Sequence, residues 1–142
     1  TMLRVIGAMG VALVLCQPDH LSAQSRPQAA PAPPSAPAPE PPPPAYEPEL
    51  LRLAETIGAV AFLRQLCGAS DAEQWRARMA EMLEAEGVTQ GRRDRLAGAY
   101  NRGFRGYALT YRSCTSAAQE AAARLTRDGS RLARALASRF GG

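Results

Sequence analysis

The chain has 142 residues, a net charge of +4 and 17 basic residues, all of them arginine. Its 12 prolines all lie between Pro18 and Pro48, so composition divides the chain into a non-globular N-terminal part and one globular domain that is small enough to need help to stay folded. The single histidine, His20, precedes that domain, which excludes Ser-His and Cys-His nucleophiles and most transition-metal sites, and we expect no catalytic residue, no metal and no cofactor.

The first segment has the pattern of a secretory signal peptide. Arg4 supplies a positive charge, and residues 5–15 form an uninterrupted apolar run of 11 residues. A bilayer span needs roughly 20 such residues, so the run is too short to remain as a transmembrane helix. We expect cleavage near Ala23, with Ala29 and Ala30 as alternative sites, which makes residues 1–23 the signal and places the mature chain in the periplasm. Cys16 leaves open a lipoprotein alternative, although a lipobox has a small residue where this chain has leucine.

Residues 24–47 read as a linker. Most of them are alanine and proline, which offer little surface to bury and no hydrogen-bonded ladder, so we expect a disordered, extended spacer. The spacer would hold the following domain away from a membrane or a partner. Docking of Pro41–Pro44 in an aromatic groove of another protein is the alternative.

The first predicted helix follows the linker. It begins at Pro48, a residue suited to the first helical turn, runs to Cys67 and stops at Gly68. Its apolar residues extend nearly all round the helix, which predicts that it is the central helix of the domain.

The second helix is predicted from Asp71 to about Glu86. Ser70 and Glu73 have the spacing of a capping box, and Gly87 is a stop signal. Its expected core stripe consists of Trp75, Met79, Met82 and Leu83.

The third helix is predicted from a Thr89 cap to about Arg112. At 100° per residue its aromatic residues share one face, and arginines occupy the other. The core face then holds Leu96, Tyr100, Tyr107, Tyr111 and Cys114.

The fourth helix is predicted to start at Ser116, paired with Gln119 as a cap, and to reach about Phe140. Its apolar residues keep their phase across Gly129, so we expect one helix there, with a kink allowed at the glycine. No segment alternates as a strand does. The sequence therefore predicts an all-α domain over residues 48–142, a small antiparallel bundle of about four helices.

Two cysteines lie in this domain, Cys67 and Cys114. An up-down-up arrangement brings the C-terminal ends of the first and third helices together, and those ends carry the two cysteines. Since export makes oxidation the expected state, we predict one intramolecular disulfide. The alternatives are two free buried thiols, a redox-active pair and intermolecular bridges; the long separation in sequence argues against the redox pair.

The arginines of the third helix form a candidate surface for an anionic partner. From Glu47 onward the chain has 15 arginines and 11 acidic residues, and their mixing is typical of an ordinary solvated surface. Arg102, Arg105 and Arg112 lie opposite the tyrosines, where they would contact lipid head groups or cell-wall carboxylates. Export argues against nucleic acid as the partner. Phe104 beside them is expected at the edge of the core, and Gly98, Gly103 and Gly106 are expected at close helix contacts rather than in a phosphate loop.

Several segments resemble those of a known family: residues 46–54, 63–68, 75–76, 101–107 and 110–115. The family consists of small exported alphaproteobacterial proteins of uncharacterised activity, each with a signal peptide, a variable Pro-rich segment and two cysteines. The resemblance covers about residues 46–142 and implies a periplasmic or envelope setting. It carries no catalytic residue over to this chain.

Together these patterns predict a non-enzymatic, exported helical domain that acts as an interaction or envelope-maintenance factor. Its expected partner is an envelope protein or an anionic envelope component. Two alternatives stay open: a cell-wall-directed enzyme, or the cofactor protein of one, that uses glutamates, and a small periplasmic chaperone-like binder.

Overall fold

The computed structural model describes residues 39–141. They form four helices: α1 (Glu47–Leu66), α2 (Ala72–Glu86), α3 (Gln90–Thr110) and α4 (Ser116–Phe140). No strand occurs among residues 39–141, so the all-α prediction is confirmed. The predicted signal peptide, its cleavage after Ala23 and the Pro-rich segment up to residue 38 lie outside the described residues.

Helix α1 is the centre of the domain, as its apolar pattern predicts. Each of the other three helices packs on it, and α2 also contacts α3. Successive helices run antiparallel, whereas α1 and α3, the most extensively packed pair, run parallel. Near their starts Glu47 pairs with Arg95, and at their ends Cys67 meets Cys114.

The crossing of α1 and α3 depends on two glycines. A Cβ on Gly103 would lie 1.9 Å from the carbonyl oxygen of Glu55, and one on Gly58 would lie 2.0 Å from a backbone carbonyl oxygen of α3. Only glycine lets the two backbones approach this closely. Of the three glycines predicted at close contacts, Gly103 is at one, but Gly98 and Gly106 have no neighbour closer than 3.8 Å.

The core consists of two clusters along α1. One lies toward its N-terminal end, beside α2 and α3, and the other lies beside the start of α4. The first contains Leu50, Ala54, Ile57, Met79, Leu96, Ala99 and Leu136, and the second contains Leu63, Ala118, Ala121 and Ala122. Because the second cluster is mostly alanine, α4 approaches α1 closely at this end.

The start of α2 differs from the predicted capping box of Ser70 and Glu73. The helix follows Asp71, whose side chain makes no capping hydrogen bond. Its carboxylate instead accepts two hydrogen bonds from Arg64, both at 2.7 Å, and one from the indole of Trp75 at 3.3 Å. The hydrogen bonds from Arg64 lower the pKa of Asp71, because they favour its charged form. Asp71 therefore joins the end of α1 to the start of α2.

Threonine hydroxyls cap α3 and α4. The Thr89 hydroxyl accepts a hydrogen bond from the backbone N–H of Arg92 at 3.2 Å, as predicted. At α4 the prediction of Ser116 was wrong by one residue, because the Thr115 hydroxyl accepts from the N–H of Ala118 at 3.2 Å. Ser116 is instead the first residue inside the helix.

The other helix ends are close to the predicted ones. Helix α1 ends one residue before Cys67, and Gly68 follows with a φ of +62°, in the left-handed region that favours glycine. Helix α3 ends at Thr110, two residues before Arg112. Helix α4 continues through Gly129 without interruption.

Charged side chains at the start of α1 form a polar cluster with α2 and α3. The buried Glu47 carboxylate lies 3.1 Å from the buried guanidinium of Arg92 and 2.7 Å from that of Arg95. Arg92 also pairs with Glu86 at 2.8 Å, and the Tyr46 hydroxyl donates to Glu86 at 3.0 Å. Partial burial of these charges is tolerated because each lies against an opposite charge.

The residues before α1 also contact the domain. The Glu40 carboxylate accepts hydrogen bonds from the Thr89 hydroxyl and from Arg95. These bonds, that of Thr89 first, lower the pKa of Glu40. The end of the predicted linker thus lies against the start of α3.

The predicted disulfide is confirmed. The sulfur atoms of Cys67 and Cys114 are 2.00 Å apart, and the Cα atoms are 4.9 Å apart. Cys67 is half-buried and Cys114 is exposed. The bond fastens the chain just past the end of α3 to the end of α1, as the up-down-up arrangement requires.

Candidate anion-binding face

Positive charge is concentrated on two of the four helices. Helix α3 has five arginines and one acidic residue, and α4 has five arginines and two acidic residues. Helices α1 and α2 each have more acidic residues than arginines. The mixing of charges along the sequence therefore becomes a separation of charges in the fold.

An open groove lies between α3 and α4, with α1 as its floor. In the described part of the chain, no Cα atom of α3 is within 8 Å of one of α4. The space is divided into two adjoining cavities of about 510 Å³ and 290 Å³, which share Glu55 and Tyr107. We call this space the α3–α4 groove.

Helix α4, which forms one rim of the groove, carries a stripe of four arginines. They follow the spacing i, i+3, i+7, i+10, which places them within an arc of about 80° on the helix, opposite the buried Leu136. All four are exposed: Arg124, Arg127, Arg131 and Arg134. Arg124 and Arg131 line the groove, and Arg131 pairs with Asp128 at 2.6 Å. Arg134 instead lines a cavity on the other flank of α4, beside Trp75 and Arg78 of α2.

This stripe is not among the sites predicted from the sequence. Its spacing is present in the sequence, but overall charge mixing obscured it. In the sequence, Asp128 stands between Arg127 and Arg131, so this part of α4 resembles an ordinary mixed-charge surface. On the helix, Asp128 lies about 80° away from the centre of the arginine stripe.

The α3 rim contains the arginines that the sequence analysis did single out. Arg102 lines the groove and lies 3.7 Å from Glu55 of α1. Arg105 is exposed on the outer side of α3, and Arg112 is exposed just past the helix end. Leu109, 75% exposed, lies on the same side of α3 as Arg102 and Arg105. Of the three predicted arginines, only Arg102 lines the groove.

The floor and inner wall of the groove add one more cation and two aromatic rings. Arg52 and Glu55 project from α1 into the larger cavity. The rings of Tyr107 and Tyr111 are stacked, with centroids 6.0 Å apart and planes 8° from parallel. Both carboxylates of the groove, Glu55 and Asp128, lie beside an arginine. We call the groove, its two rims, Arg105 and Arg112 the basic face.

A second groove, between α2 and α3, is mostly apolar. It has a volume of about 500 Å³, and Met79, Leu83, Tyr100 and Phe104 line it. Burial raises the pKa of the Tyr100 hydroxyl, and Arg76 partly offsets that effect. Phe104 packs edge-on against Phe62 with centroids 5.3 Å apart, at the edge of the core as expected.

Residues 39–141 contain neither a metal-binding cluster nor a helix that could span a membrane. No group of three or more histidine, cysteine, aspartate or glutamate side chains is arranged to hold a metal ion there. None of the helices in this part of the chain combines the length and the hydropathy of a membrane span.

These features define a small, all-helical, disulfide-linked domain with a basic groove. Residues 44–140 match the model of the family described as "protein of unknown function (DUF2385)", and the chain belongs to that family. The predicted membership of an uncharacterised family is thereby confirmed. No curated protein and no solved structure matches the chain.

Proposed function

We propose that this protein is a non-enzymatic, exported interaction domain that binds an anionic component of the cell envelope at the α3–α4 groove. The observation that carries the proposal is the pair of arginine rims on either side of an open groove. The signal-peptide pattern, the Pro-rich linker and the disulfide support a periplasmic setting with the domain on a tether.

The carboxylates of the groove do not pair with all of its arginines. Arg102 and Arg131 have carboxylate partners. Arg52 and Arg124 line the same groove and make no ion pair within residues 39–141. An anionic partner would place negative charge beside these two side chains, and the low-dielectric walls of a groove strengthen that attraction.

The groove carboxylates do not favour the enzymatic alternative. A glutamate-based glycosidase needs one carboxyl group that donates a proton and one that stays ionised. Here both Glu55 and Asp128 have an arginine neighbour, which is the arrangement of a charge-recognition surface.

The test is binding of labelled poly-L-glutamate and of polyphosphate to the processed, secreted protein. We expect the double variant Arg52→Gln, Arg124→Gln to bind one or both probes on the order of tenfold more weakly than the wild type. The matched control, Arg76→Gln with Arg93→Gln, loses the same charge away from the basic face and should bind within about twofold of the wild type. Equal losses in both variants, or no binding by the wild type, would contradict the proposal.

A chaperone-like role is the second candidate, and the α2–α3 groove favours it. Its apolar lining by Met79, Leu83 and Phe104 suits an apolar segment of an unfolded chain. We expect Phe104→Ala, at a half-buried residue of the groove lining, to weaken any suppression of aggregation of a reduced model substrate. Unchanged aggregation in the presence of the wild type would remove this candidate.

A further inference from the structure

We propose that the partner of the basic face is the surface of an anionic phospholipid bilayer, against which α3 and α4 lie with Leu109 in the head-group region. The inference rests on the proposed function and names its partner. The observation behind it is an exposed leucine among arginines, together with arginines that extend beyond the groove.

Leu109 has an unusual setting for a large apolar side chain. It is 75% exposed and makes up part of the solvent side of α3. Arg105 precedes it by one turn and Arg102 by two, so the three side chains lie within an arc of about 60°. Arg112 follows three residues later and is also exposed. Exposed apolar and basic side chains side by side on one helix are features of helices that contact a lipid–water interface.

The positions of the arginines favour a bilayer surface over a polymer bound in the groove as the partner. A chain lying in the groove would contact Arg52, Arg102, Arg124 and Arg131, which line it. It would leave Arg105 and Arg127, which do not line it, without a role. A planar array of phosphates, unlike a single chain, also reaches exposed arginines outside the groove, such as Arg105 and Arg127.

The α4 stripe has the length that such contact requires. Arg124 and Arg131 are seven residues apart, which corresponds to about 10 Å along the helix. The stripe contains no apolar residue, so α4 would remain at head-group level while Leu109 alone enters. Each arginine near an anionic leaflet strengthens binding by roughly fivefold.

The test is co-sedimentation of the secreted, processed protein with vesicles of phosphatidylcholine, with and without phosphatidylglycerol. We expect binding only to the anionic vesicles, weakened by added salt. Leu109→Ala should reduce the affinity about fivefold, and Val88→Ala, a control at a residue 74% exposed and outside the basic face, should not change it. Arg105→Gln with Arg127→Gln should reduce it on the order of 20-fold, whereas Arg76→Gln with Arg93→Gln should not.

The outcomes separate this inference from the proposed function. Binding to poly-L-glutamate without binding to anionic vesicles overturns the lipid surface and leaves the anion-binding groove in place. Absence of binding to vesicles, poly-L-glutamate and polyphosphate overturns both. Vesicle binding that is indifferent to Leu109 and to the outer arginines also overturns the inference, provided that circular dichroism shows every variant folded.

Discussion

At the scale of single residues, the two helices that pack most closely depend on the absence of side chains. Gly58 and Gly103 each face a backbone carbonyl oxygen of the opposite helix. Gly106 lies on the same helix as Gly103, one turn later, and has nothing within 4 Å of the position of a Cβ. Of these two glycines in one helix, Gly103 is required for the close approach of α1 and α3, and Gly106 is not. The helical period alone does not distinguish them.

Replacement of these glycines by alanine should therefore have effects of opposite sign. Gly103→Ala forces α1 and α3 apart and should lower the free energy of unfolding by about 3 kcal/mol. Gly106→Ala restricts the unfolded chain without a clash and should raise it by about 0.5 kcal/mol. Urea denaturation of both variants measures the difference. A similar loss in the two variants would contradict the close crossing.

Two carboxylates make stability depend on pH. The pKa values of Asp71 and Glu40 are lowered in the fold, from ordinary values of 3.8 and 4.5. The unfolded chain therefore binds more protons near those values, so the stabilisation is fully present above about pH 5 and is lost as the pH falls through the lower, folded pKa values. Thermal melts should show a constant Tm from neutral pH to about pH 5 and a decline below it.

The variant Asp71→Asn measures how much of the decline in Tm below pH 5 is due to Asp71. It removes the carboxylate that Arg64 and Trp75 share, and we expect a loss of about 1 kcal/mol at neutral pH and a shallower decline in acid. A wild-type decline preserved in full in Asp71→Asn would assign the pH dependence to other groups.

At the scale of the helices, the sequence predicts the number of helices well and the residues at which they begin less well. The apolar periods within the four helices were read correctly, because burial against α1 imposes them. The exception is the end of the third helix: Tyr111 and Cys114, predicted on its core face, lie past the helix end, and Cys114 is exposed. The caps of α2 and α4 were not, because Ser70, Asp71, Thr115 and Ser116 are all residues that favour helix starts. Only the position of the first helical turn decides which hydroxyl or carboxylate meets a free N–H.

The cap of α4 offers a direct check. The Thr115 hydroxyl accepts from the N–H of Ala118, and Ser116 lies inside the helix. Thr115→Ala should lower the free energy of unfolding by about 1 kcal/mol, and Ser116→Ala should change it by less than about 0.5 kcal/mol. Chemical denaturation distinguishes the two; a larger loss at Ser116 would restore the cap that the sequence analysis predicted.

At the scale of the whole molecule, the disulfide follows from the topology. Parallel packing of α1 and α3 brings their C-terminal ends together, and the sequence was sufficient to predict this from helix order and cysteine positions. The basic face was only partly predictable. The arginines of α3 can be recognised in the sequence because they lie opposite the tyrosines. Whether they lie near the α4 stripe depends on the distance between α3 and α4 where both pack on α1. No local sequence pattern specifies that distance.

Loss of the disulfide should lower the stability of the domain without changing its fold. Closure of a loop of this length, with the cysteines 47 residues apart, stabilises a chain by about 4 kcal/mol in the entropy model. For a domain of this size that corresponds to a fall in Tm of more than about 15 °C. The Cys67→Ser, Cys114→Ser double variant should show this fall, and reducing agent should then have no further effect on it. A Tm equal to that of the wild type would contradict a stabilising role.

The central claim is that one face of this domain, formed by α3 and α4, receives an anionic partner. Amide chemical-shift mapping of the protein during titration with poly-L-glutamate and with phosphatidylglycerol vesicles tests it most directly. We expect the perturbed amides to cluster at residues 102–112 and 124–134, with α2 unchanged. Shifts that follow arginines throughout the molecule, including Arg76 and Arg93, would contradict it.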